Sequence, residues 1–131
     1  MSDSARIYQL MVLTAWADGH LHALEQRMAG HLLLEVPSLR GLEGRDQLAK
    51  EALALLSKAG VRGAVDELAS GLDGYAAQRD ALTCCARVLA ADGRIAVEEF
   101  AVISVLRQRF AFSVEDVQRI LADATRHAPP A

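Results

Sequence analysis

Apolar residues recur every three or four positions along almost the whole of this chain, and no stretch alternates apolar with polar residues. The first pattern buries one stripe of an α-helix, and the second would mark a half-buried strand. Ile7, Leu10, Met11 and Thr14 make the first stripe and predict a helix from Asp3 or Ser4 to Ala17. Ser2, Asp3 and Ser4 offer caps at its start, and Gly19 supplies a stop because glycine tolerates the left-handed conformation that ends helices. A second helix starts near His22 or Ala23, with Leu24, Met28 and Leu32 on one face and His31 beside them. It ends before Pro37, since the residue ahead of proline avoids helical angles. Residues 37–44, rich in Pro, Ser and Gly, read as a loop with room for one short turn.

Five more helices follow. Leu48, Ala52, Leu55 and Leu56 predict a third over 45–58, stopped by Gly60. Val65 and Leu68, with Leu72 beyond, predict a fourth over 61–70, with Gly63 weakening its start by about 1 kcal/mol relative to alanine. Tyr75, Leu82, Cys85 and Leu89 predict a fifth and longest over 73–91. Val102, Ile103, Leu106 and Phe110 predict a sixth over 97–109. The seventh opens on Ser113 with Asp116 three residues later, a capping box with Asp in place of Glu, and buries Val114, Val117, Leu121 and Ala124. Pro129 and Pro130 cannot continue it, so the last five residues should fray. The fold class expected is all-α, one domain over 1–131 with its core about 4–126.

Composition sharpens this. At 131 residues and 52% hydrophobic, the chain has material for one real core, and 5% aromatic content suits packed helices. A net charge of −3, with Lys and Arg scattered, argues against nucleic-acid binding, which needs a clustered basic face. Met1-Ser2-Asp3-Ser4 does not open a secretory leader, and no apolar run is long enough to span a membrane. Cys84 and Cys85 are neighbours, whose mutual disulfide would be strained. They are expected as reduced core or boundary residues of a cytoplasmic protein.

One motif stands out against this helical background. Ala91-Asp92-Gly93-Arg94-Ile95-Ala96-Val97-Glu98-Glu99 and Ala17-Asp18-Gly19-His20-Leu21-His22-Ala23-Leu24-Glu25 both read Ala-Asp-Gly-x-[Ile/Leu]-x-x-x-Glu, offset by 74 residues. Each sits where one helix should end and another begin, which suggests an internal duplication of two helix–corner–helix halves about a pseudo-two-fold axis. The Asp can accept N–H bonds from its turn. The Glu falls in the first turn of the next helix, where the helix dipole favours its charge by about 0.3–1 kcal/mol. The spacing matches the second half of an EF-hand loop, but the first ligand positions would be Val88 and Ala90, or Thr14 and Trp16, which are poor oxygen donors in helical context. The ligand count therefore argues against a self-contained EF-hand.

Two readings of the corners stay open. In one, each Asp braces a turn and each Glu caps a helix. In the other, the corners meet, and Asp18, Glu25, Asp92 and Glu99 together hold a divalent cation that relieves their repulsion. All-oxygen donors favour Ca²⁺, Mg²⁺ or Mn²⁺, while His20 and His22 at the first corner would bias the site toward Zn²⁺. Glu98 reads as a solvent residue, and Trp16 as a core aromatic close enough to report on Asp18.

Through these paired corners and their flanking helices, over about residues 4–126, the chain resembles the TerB-like family, named for tellurite-resistance proteins. The resemblance implies an all-helical duplicated domain with an acidic, metal-binding site at Asp18, Glu25, Asp92 and Glu99. It also implies a role in tellurite resistance and chemical or phage stress beside membrane-associated protein partners. The chain departs from the family in having Ala96-Val97 and His22-Ala23 where Ser, Thr or Pro usually opens the helix after the corner. Nothing points to catalysis: no Gly-rich phosphate loop, no His-Glu-x-x-His helix and no partnered nucleophile occurs. The function expected is a non-catalytic stress-response module binding a cation and protein partners. The alternatives are a metal-assisted hydrolase and a pure interaction scaffold.

Overall fold

The computed structural model describes residues 2–17, 23–91 and 97–126, excluding the side chains of Leu24, Val97, Glu98 and Glu99. Among these residues there are six α-helices and no strand: α1 (Asp3–Trp16), α2 (Ala23–Glu35), α3 (Arg45–Ala69), α4 (Tyr75–Ala90), α5 (Val97–Phe110) and α6 (Val114–Arg126). A 3-10 turn, Pro37–Leu39, occupies the expected loop and buries Leu39.

The ends follow the cap chemistry. The Ser2 hydroxyl accepts the Ala5 N–H at 3.1 Å, and the Ser113 hydroxyl accepts the Asp116 N–H at 3.1 Å. The expected third and fourth helices are the two limbs of α3, which is counted as one element although its helical geometry breaks between them. Gly60 leaves helical angles, with φ 74° and ψ 173°, so it stops the first limb where the sequence placed a stop, and the second limb resumes at Val61. α5 ends on Ala111, whose φ of 58° is left-handed. The Phe112 N–H then reaches back to the Arg107 carbonyl at 3.1 Å.

α4 lies at the centre, packed against α1, α2, α5 and α6. Ala81, Leu82, Cys84, Cys85, Ala86, Val88 and Leu89 are all buried, leaving its second half without a wet face. α1 packs on α3 and α4, burying Ile7, Leu10, Met11 and Leu13. Thr14 is buried too; its hydroxyl donates to the Leu10 carbonyl at 2.8 Å and shares a hydrogen bond with Cys85. Met28 and Leu32 of α2 face inward as expected, whereas His31 is exposed. Tyr75 and Val114, expected in the core, are 65% and 51% exposed. Each is the first residue of its helix, where the stripe overhangs its neighbour. The Tyr75 ring instead stacks, tilted, on Phe112 at 5.8 Å.

Arg6 ties α1 to the end of α3. Its Nη1 donates to the Leu68 carbonyl at 3.3 Å, and its guanidinium lies where a Gly71 side chain would stand. No described helix is long and apolar enough to cross a membrane.

Candidate functional site

The helices leading into the two corners end alike. Trp16 and Ala90, the last residues of α1 and α4, are 74 positions apart. The next residues, Ala17 and Ala91, both keep right-handed helical angles. Their N–H groups reach the Thr14 and Val88 carbonyls at 3.5 and 3.2 Å, another pair 74 apart, and each alanine is 7% exposed. Beyond the corners, α2 and α5 begin at Ala23 and Val97, again 74 apart. Each corner is thus bracketed by a buried alanine and a helix start in the same register.

Helix up to Trp16 and Ala90 also bears on the EF-hand comparison. Thr14, Trp16, Val88 and Ala90 all lie within α1 or α4 and cannot open a calcium loop. The Thr14 hydroxyl is already committed to the core.

Of the predicted ligands, Glu25 is the one whose side chain the structure describes. It stands in the first turn of α2 and is 0% exposed. A solvent-facing cap would not be turned inward in this way. An ionised carboxylate in the interior needs compensating charge or hydrogen-bond donors, so its surroundings are chemically specific. Asp18, His20, His22 and Asp92 lie outside the described residues, as does the side chain of Glu99, which sits in the first turn of α5. The meeting of the four carboxylates falls outside with them. Among the described residues no group of three or more His, Cys, Asp or Glu is gathered as metal ligands.

The other chemically capable groups resolve more simply. Burial pushes the Cys84 and Cys85 thiols up to about 12, so neither forms a thiolate nucleophile at neutral pH. Glu35 accepts from His31 Nε2 at 2.6 Å and Arg87 Nη2 at 3.2 Å. The Arg87 hydrogen bond holds its carboxyl below the usual carboxylate range, but Glu35 is half exposed and the mostly covered Arg87 reaches out to it, a clasp between α2 and α4 at the surface.

A trough between α1, α2 and the start of α3 was not anticipated from the periodicity. It encloses about 340 Å³ and is lined by Tyr8, Met11 and Trp16 on one side and Gln26, Gly30 and Leu33 on the other. Burial raises the Tyr8 hydroxyl above its usual range, against the opposing pull of nearby Arg45. The usable signal was the coincidence of small residues Ala15, Ala29, Gly30 and Ala49 on three helices. No family model, curated protein or solved structure matches this chain.

Proposed function

We propose that the chain is a TerB-like duplicated helical module of the tellurite-resistance and stress-response type. In this reading it is non-catalytic and cytoplasmic, binds one divalent cation through Asp18, Glu25, Asp92 and Glu99, and engages protein partners. The observation that carries the proposal is the common 74-residue register of helix ends, capping bonds and helix starts around both Asp-Gly corners. Two sequence elements that merely shared a turn motif would not also share the burial of the preceding alanine and the onset of the next helix. The inward position of Glu25 supports a ligand over a solvent-exposed cap. Oxygen donors of this kind suit Ca²⁺, Mg²⁺ or Mn²⁺, with Zn²⁺ favoured if His20 or His22 joins them.

The test is titration of the protein with Ca²⁺, Mn²⁺ and Zn²⁺, followed by Trp16 fluorescence and calorimetry. Saturable binding by the wild type that is weakened in both Asp18→Asn and Asp92→Asn is the expected result. Equal affinity in all three proteins would eliminate the shared site.

A second reading, a scaffold without a cation, draws on the exposure of Leu34 (76%) and Phe100 (50%) in addition to Tyr75 and Val114. It predicts partner capture that is indifferent to chelator and to both Asp→Asn variants.

A further inference from the structure

We infer that the trough between α1 and α2 is a docking site for an acidic amphipathic helix of a partner protein. This rests on the partner-binding half of the function proposed above and names the partner's chemistry. The trough has the dimensions for it. From Tyr8 to Trp16 its α1 wall runs about 12 Å at 1.5 Å per residue, two turns of a docked helix. Gln26, Ala29, Gly30 and Leu33 form the facing wall at i, i+3, i+4 and i+7. Ala15, Ala29, Gly30 and Ala49 keep its lining low, so a helix can approach closely.

The equivalent face in the second half of the chain is flanked by a helix of the fold but only partly covered. Phe100 and Ser104 of α5 stand 74 positions after Gln26 and Gly30 of α2. On α5 they share a crevice with Ala59, Gly60 and Val61 of α3, and Arg109 further along pairs with Asp66 at 3.4 Å. The second limb of α3, residues 61–69, therefore runs beside α5. On α2 the corresponding face opens into the trough, and a side chain at Gly30 would meet nothing within 4 Å.

Charge selects the occupant. Arg27, Arg45 and Lys50 are exposed next to, or one turn from, lining residues Gln26 and Ala49, and Asp46 offsets one of them. Among the described residues, the exposed charges along the rim are thus net positive on a chain whose net charge is −3. A helix with an apolar stripe and a glutamate-rich back matches both the trough and its rim.

The probe is a synthetic amphipathic peptide of about four helical turns, with leucines at i, i+3, i+4 and i+7 and glutamates elsewhere. It is compared with a lysine version and a scrambled version, each with EDTA and with Ca²⁺. The expected result is a saturable Trp16 blue shift with the glutamate peptide, weakened by added salt and present in EDTA. Gly30→Leu, which fills the trough without touching the fold, should weaken binding by about tenfold or more, while Gln118→Leu on exposed α6 should not. Circular dichroism of both variants confirms that they fold. No binding, equal binding of the lysine or scrambled peptide, or indifference to Gly30→Leu would overturn the inference. So would a wild-type dimer that Gly30→Leu dissociates, since a second copy would then fill the trough. Peptide binding in EDTA alongside failed cation titrations would leave this inference standing while removing the cation site, and the reverse outcome would do the opposite.

Discussion

Arg6 and Gly71 form a pair whose coupling can be worked out from the structure. A β-carbon on Gly71 would stand 2.1 Å from Arg6 Cζ and 2.5 Å from Nη1, far inside contact distance. Gly71 has no left-handed angle to protect, so the substitution Gly71→Ala acts through this clash and not through backbone strain. The guanidinium must swing away by about 1 Å or more to regain van der Waals separation. Its bond to the Leu68 carbonyl is already 3.3 Å and would break. Losing a partly exposed, charge-assisted bond and some packing of the arginine stem costs about 1–2 kcal/mol. In an Arg6→Ala background the same substitution meets open space. It should then be neutral or stabilise by a few tenths of a kcal/mol, because alanine restricts the unfolded chain more than glycine does. The double-mutant cycle should therefore show a coupling of about 1–2 kcal/mol, read from urea unfolding followed at 222 nm. In thermal melts Gly71→Ala alone should lower Tm by roughly 3–8 °C. Strict additivity of the two substitutions would refute the packing of Arg6 over Gly71.

Four further outcomes are expected. Ala111→Gly should raise stability by about 0.5–1 kcal/mol, because Ala111 holds a left-handed φ of 58° that glycine adopts without cost; an unchanged or lower urea midpoint would contradict this. Ser113→Ala should cost about 1 kcal/mol through loss of the cap on the Asp116 N–H, measurable by the same unfolding. Cys84 and Cys85 are pushed up to about 12 by burial, so they stay protonated in the fold while a solvent-exposed thiol of the unfolded chain ionises near 9.0. Their contribution is thus complete below about pH 9 and is lost as pH rises toward 12; a Cys84→Ala, Cys85→Ala variant should lose less stability than wild type across that range. In the wild-type protein a disulfide reagent at neutral pH should label neither buried thiol until denaturant is added.

Helix positions were legible because each helix carries its own 3.6-residue stripe, and the corner boundaries were legible because Asp-Gly punctuates both. The break at Gly60 was legible because glycine takes the φ of 74° that stops one helical limb, but the sharpness of the turn into the next limb was not. Tyr75 and Val114 were misplaced because periodicity assigns a face but not how far a neighbouring helix extends to cover it. Glu25 was identified as a candidate from spacing, but its burial depends on where α2 sits in the bundle. The trough was invisible for the same reason. Tyr8, Gly30 and Ala49 come from three helices, and the angles between helices are not written in the period of any one of them.

The central place of α4 has a consequence for motion. The helix as a whole packs on four others and most of residues 81–89 are buried, so these amides should not meet solvent by local fraying. Hydrogen–deuterium exchange over 81–89 should proceed only when the whole bundle opens, and its rate should track global unfolding free energy across the variants above. The outer helices α2 and α6, each with a solvent face, should exchange sooner. α4 is thus the spindle of the bundle, and a ligand held at an outer edge should change exchange in α2 or α6 before it changes exchange over 81–89.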